Sequence, residues 1–297
     1  GIVFATIIGV VVGVARLSTN WLVNRLAAVY IEVLRNIPLL VLLIFWYRGL
    51  FLTMPGVRDG PRLGPIFLSN RGVAVPWGIP SDSFRVYLWV LAFGLVAAIG
   101  VGVVLTRQGQ RTGRMPLVTL WGLATLLGVG VIGWFVLPQR PLTFDFPVLP
   151  ETGFNVQGGK ILSPEFMALL SGLVLYTAAF IGEVVRAGIQ SVSKGQVEAS
   201  RALGLTPFQT LRLVVFPQAM RVIVPPLTSQ YLNLTKNSSL AIAIGYPDLV
   251  AVYGTILNQS GRAVEMTAIM MSTYLTISLL TSAFMNWYNK KIRLVER

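Results

Sequence analysis

Long apolar runs without charge divide the chain. Val86 to Thr106, Met115 to Gln139 and Met266 to Asn289 carry no charged side chain over 21, 25 and 24 residues. Each meets the roughly 20 residues that a helix needs to cross the hydrocarbon of a bilayer. Phe166 to Gly182 is a fourth run of 17 residues, bounded by Glu165 and Glu183, and Asn36 to Val57 is a fifth, broken only by Arg48. An arginine near a membrane face can snorkel to the headgroups. Val222 to Pro247 reads as a sixth span, with Lys236 inside it and a helix starting near Pro226. Gly1 to Ala15 reads as the closing part of another, with sequence expected upstream because the chain opens inside an apolar run. The pattern predicts an all-α integral membrane protein, a polytopic helical bundle of about seven spans, the first partial.

Composition points the same way. The 297 residues are 54% hydrophobic and 12% charged, with a mean hydropathy of +0.70; soluble domains carry roughly 25% charged residues. The net charge of +13 has a topological explanation. If Gly1 to Ala15 runs inward, the inner segments collect 15 of the 24 Lys and Arg, among them Arg16, Arg107, Arg111, Arg114, Arg186, Arg212 and the basic C-terminal tail. That is the positive-inside bias, with anionic lipid rather than nucleic acid as the partner of the charge. Residues 53–85 and 138–163 then lie outside, and their Pro- and Gly-rich stretches (MPGVRDGPRLGP, PQRPLTFDFPVLPETG) show no helical period. With no Cys and no His, the chain offers no disulfide framework, Cys/His zinc site or His base. No Walker-type phosphate loop is present, so the chain hydrolyses no nucleotide itself.

One insertion breaks the apolar pattern: GQVEASRALGLTPFQTLRLVVFPQ, residues 195–218. Ser193 followed by Gln196 predicts a capped helix over about Gln196 to Leu203, stopped by Gly204 in a left-handed conformation. Thr206, Pro207 and Gln209 predict a second start with a capping box. Eight residues rise only about 12 Å, far too short to span, and Glu198 with Arg201 belongs in water. Ala199, Ala202 and Leu203 fall on one face as a small, smooth ridge. Two readings are open: a ridge for the groove of another protein, or a hairpin packing on its own bundle.

The run Glu198-Ala199-Ser200, Gly204, Val214, Phe216-Pro217 resembles the signature loop of permease subunits in bacterial ATP-binding-cassette importers: Glu-Ala-Ala, three residues, Gly, nine residues, Ile, one residue, Leu-Pro. The spacing fits without a gap; Ser replaces the second Ala, Val the Ile and Phe the Leu. YIEVLRNIPLL, EVVRAGIQSV, PQAMRVIVPPL and TKNSSLAIAIGYPDL resemble the polar amino-acid branch of that family. The likeness covers about 1–52 and 164–290, the core spans of a single permease domain. Residues 86–137 look like the two-span insertion of its larger, general or acidic and neutral amino-acid members. The resemblance implies a multi-pass protein of the bacterial inner membrane whose loop 189–218 carries a cytoplasmic coupling helix. Glu198, Ala199, Ala202, Leu203 and Gly204 would dock on an ATPase. It further implies a second permease subunit, similar or identical, two ATPase subunits holding ATP and Mg, and an extracytoplasmic amino-acid-binding protein. This chain itself holds no cofactor.

On the sixth span, Ser229, Gln230, Asn233, Lys236 and Asn237 share an arc of about 120°, with Leu227, Leu232 and Leu234 outside it. A mid-membrane stripe of this kind lines a wet path for a zwitterion, or it bonds helices together with Lys236 paired to a carbonyl or to Glu183. Both readings are open. Glu183 with Arg186 reads as a structural ion pair, and Pro38 as a helix start behind Arg35 in the headgroups. The competing function is an autonomous secondary transporter, which needs intramembrane coupling groups and often two internal repeats. No repeat is visible. A membrane enzyme would need a catalytic constellation that is absent.

Overall fold

In the computed structural model, residues 1–112, 117–150 and 155–292 are described. Arg114, Met115, Arg293 and Arg297 of the sequence reading lie outside them. The helices are α1 Ile2–Ala15, α2 Trp21–Asn36, α3 Leu39–Ile44, α4 Phe84–Thr112, α5 Val118–Val136, α6 Pro164–Gln190, α7 Lys194–Ala202, α8 Pro207–Thr210, α9 Phe216–Asn237, α10 Leu249–Ser260 and α11 Ala263–Ile292. Four are long and apolar enough to span (α4, α5, α6 and α11), and two bent pairs bring the candidates to six. The first pair, α2 with Leu39–Phe51, turns by 106°. Its elbow is at Ile37-Pro38, where the residue before a proline is forced out of the helical region and both residues are extended. The protein is a mostly helical membrane protein. The all-α expectation misses short strands in the Pro/Gly-rich loops, where Arg62–Leu63 pairs antiparallel with Ile66–Ser69 and Trp77–Pro80 with Leu142–Asp145.

The chain forms two compact units. In the larger, made of residues 1–56, 69–73 and 162–297, α6 is the most buried span. Helix α1 lies parallel to it, because glycines let the backbones meet: a Cβ on Gly9 would stand 2.6 Å from Ile181, and one on Gly13 2.6 Å from the Gly182 carbonyl. Close approach through small residues is the usual device of membrane helix packing. Gly188 does the same for α9, where a Cβ would meet Ile223 at 2.2 Å. Ala5, Ile181, Val185, Ala219, Ile223, Val224 and Met285 close the core. The C-terminal ends of α1, α6 and α11 therefore share one end of the bundle with the N-terminal end of α9.

The smaller unit, residues 57–68 and 74–161, is built on the α4–α5 hairpin. Gly133 admits Val90 and Gly94 admits Val129, while the Tyr87 hydroxyl donates to the Gly130 carbonyl at 3.1 Å. In its strand layer Asp145 Oδ2 accepts from the Gly159 amide at 2.8 Å, and Lys160 stands 4.1 Å over the Trp77 ring.

The start of the sixth span departs from the sequence reading. The helix does not begin at Pro226; helical turns run unbroken from Pro207 to Asn237, with Pro225 and Pro226 both inside α9. A widened π turn at Leu211–Val215 precedes Pro217, whose nitrogen cannot donate. Lys236, near the middle of the span by the sequence reading, is thus in the last turn of α9, about 30 Å from Phe216.

Candidate functional site

Residues 191–210 form an appendage between the C-terminal end of α6 and the start of the helical run that becomes α9. Helix α7 starts two residues earlier than its sequence suggests, at Lys194, and Ser193 occupies the N-cap position without a side-chain bond; only its carbonyl accepts, from Gln196 N at 3.1 Å. At the other end Gly204 is left-handed, φ +79. Its amide bonds the Arg201 carbonyl at 2.9 Å, and the Leu205 amide bonds the Ser200 carbonyl at 3.1 Å, the two bonds of a Schellman stop. Thr206 and Gln209 then close the capping box of α8 as the sequence predicts.

A contact that sequence reasoning missed ties the two helices together. Ser200 and Thr210 are buried and joined hydroxyl to hydroxyl at 3.0 Å. Serine stands there in place of the alanine of the signature loop. With Ser200 turned inward, Glu198, Ala199, Ala202, Leu203 and Gly204 all face outward; Leu203 is 82% exposed. The α7 ridge is free of its own bundle.

The polar stripe of α9 also faces out. Ser229, Asn233 and Lys236 are exposed, Gln230 and Asn237 are half-buried, and Leu227 and Leu234 are buried on the opposite side. Its flank is pinned, since Tyr231 shares a 2.9 Å hydrogen bond with Thr6 of α1. Lys236 makes no ion pair among the described residues, and Glu183 is held by Arg186, through Nε at 3.0 Å and a second, shorter contact through Nη2. Arg186 also donates to Gln190 at 2.6 Å. The pairing of Lys236 with Glu183 is not made, because the two lie at opposite ends of the bundle.

Past Asn237 the backbone tightens into a 3-10 segment, Ser238–Ile244, turns at left-handed Gly245 and restarts as α10 with a bend of 57°. Asp248 caps α10, accepting from Ala251 N at 3.0 Å through Oδ1. Its Oδ2 is buried and has no hydrogen-bond partner among the described residues. The sequence signal for it was an Asp after a proline and before an apolar run, the ordinary mark of a helix start.

Residues 115–294 match the family of binding-protein-dependent transport system inner membrane components. The chain belongs to that family. It is a permease subunit of an ATP-binding-cassette transporter, a multi-pass inner-membrane protein that is not itself an enzyme; nucleotide binding resides on a separate ATPase subunit. The permease is 50% identical to a general L-amino acid transport system permease protein of Rhizobium johnstonii over 303 residues, covering all of this chain and 74% of the relative. It is 42% identical to a glutamate/glutamine/aspartate/asparagine transport system permease protein of Rhodobacter capsulatus, covering 96% of this chain and 73% of that one. A glutamate/aspartate import permease protein of Escherichia coli is 41% identical, covering 84% and 96%. In fold the permease is similar to a chain from the crystal structure of an amino acid ABC transporter with histidines, at a TM-score of 0.55 and 20% identity, covering 98% of this chain and 86% of that one.

Proposed function

We propose that the permease forms the membrane path of an amino-acid importer and that α7 is its coupling helix, docked in the cleft of an ATPase subunit. The observation that carries this is the clamped appendage: a nine-residue helix with an outward ridge of Glu198, Ala199, Ala202 and Leu203, stopped at Gly204 and locked through Ser200 to the start of the helix that carries the stripe. A push on α7 then moves α8 and α9 as one lever. The amino-acid substrate is supported by the functions of the relatives, which are 50%, 42% and 41% identical to this chain over the aligned residues.

On this reading the chain contributes seven spans: the short α1, the α2–α3 bent pair, α4, α5, α6, the α9–α10 bent pair and α11. The core spans are about 1–52 and 164–290, and 86–137 is an added hairpin. The parallel course of α1 and α6, with α9 antiparallel, supports an inner end bearing Arg16, Arg186 and Arg212, with 53–85 and 138–163 outside. Ser229, Gln230, Asn233, Lys236 and Asn237 line the path, facing a second permease subunit across it; the exposure of Ser229, Asn233 and Lys236 on one side of α9 supports this over the bonding of helices within one chain. Two ATPase subunits carry ATP and Mg, and an extracytoplasmic binding protein delivers the amino acid. Purification in mild detergent tests the assembly: a second permease chain and an ATPase should co-elute, and Leu203→Asp should release the ATPase while leaving the permease pair intact. Retention of the ATPase by that variant would contradict the docking role.

A further inference from the structure

The break between α9 and α10 gathers more chemistry than a turn requires. Lys236 and Asn237 end α9. Ser239 follows within a turn and donates to the Lys236 carbonyl at 2.7 Å. From α11, Tyr274 brings its hydroxyl beside Ser238 and Ser239 and near Asp248. The Tyr246 ring packs on Phe166, 5.9 Å between centroids, so the break lies toward the end of the bundle opposite the Glu183–Arg186 pair. On the topology proposed above, that is the side from which a substrate arrives.

Capping α10 uses one oxygen of Asp248 and needs no charge, since Asn or Ser caps a helix about as well. The second oxygen is buried without a donor among the described residues, an arrangement that is unfavourable unless something supplies one. Interrupted membrane helices are where transporters place their substrate groups. We propose that Asp248 Oδ2, with the hydroxyls of Tyr274 and Ser239, is the subsite for the α-ammonium group of the transported amino acid, and that Lys236 takes its α-carboxylate. The inference rests on the reading of the chain as an amino-acid permease. An ammonium group has three N–H donors and no acceptor, which suits one carboxylate oxygen and two hydroxyls. Both subsites bind groups common to all amino acids, so they select the class and leave the side chain to other residues. Oδ2 is sealed in this conformation. The ligand reaches it by movement of the 238–248 segment, where Gly245, at φ +77 with open space around it, is the pivot.

The test uses the complex of this chain with its native partner subunits and binding protein in proteoliposomes, with an equimolar mixture of radiolabelled L-amino acids as probe. Asp248→Asn keeps the cap and removes the charge. Uptake should fall tenfold or more, with the yield of assembled complex and its basal ATPase rate within twofold of wild type, and Asp248→Glu should recover part of the loss. A smaller fall, a fall matched by lost assembly, or no recovery with Glu overturns the inference. These outcomes are read only against a wild-type complex that imports. A wild-type complex that imports no amino acid refutes the permease reading itself, and this inference with it.

Discussion

The hydroxyls of Ser200 and Thr210 meet at 3.0 Å in a buried contact between α7 and the first turn of the long α8–α9 helix. Ser200 also donates to the Val197 carbonyl at 2.7 Å, so a single serine anchors the appendage both to itself and to the helix that enters the membrane. A buried neutral hydrogen bond of this kind contributes about 1 kcal/mol.

That contact sets the first expectation. Ser200→Ala and Thr210→Val should each lower the stability of the appendage by about 1 kcal/mol, and the double variant should lose little more than either single one. Thermal unfolding of the purified complex measures this. Fully additive losses would mean that the two side chains do not act on each other.

Gly204 is held at φ +79, a region closed to β-branched residues at a cost of about 1–2 kcal/mol. Gly204→Val should therefore disturb the stop of α7 and raise the ATP consumed per amino acid imported, while Gly204→Asn is nearly neutral. An unchanged ratio in the valine variant would remove α7 from the coupling route.

Topology has a direct check in a chain that contains no cysteine. Gln110 is exposed near the end of α4 and should lie inside. A cysteine placed there should react with an impermeant thiol reagent only after the cells are opened; labelling of intact cells would reverse the orientation.

Asn233 stands exposed in the middle of the α9 stripe. Asn233→Leu should cut uptake at least several-fold with assembly intact, because a zwitterion leaving water must find polar partners along its way. Intact uptake, or loss of assembly in its place, would assign the stripe to holding helices together.

The sequence was most legible where the backbone chemistry is local. Thr206, Pro207 and Gln209 announce a capping box, and Gly204 a left-handed stop, from their own side chains, and the structure has both. Apolar run length likewise marked α4, α5, α6 and α11. The missed features depend on partners distant in the chain. Pro225 and Pro226 look like a helix start, but tertiary packing of Val224 and Leu227 in the core carries the helix through them. One pair of loop strands joins across more than sixty residues, Trp77 with Asp145, and every strand has too few residues to show a period.

The most direct test of the whole account is uptake by the purified chain reconstituted in proteoliposomes with and without its partners. Radiolabelled amino acid should enter only when the ATPase subunits, ATP with Mg and the loaded binding protein are all present, whatever ion gradient is imposed. Uptake by this chain alone, driven by a proton or sodium gradient, would contradict it and make the chain a secondary transporter.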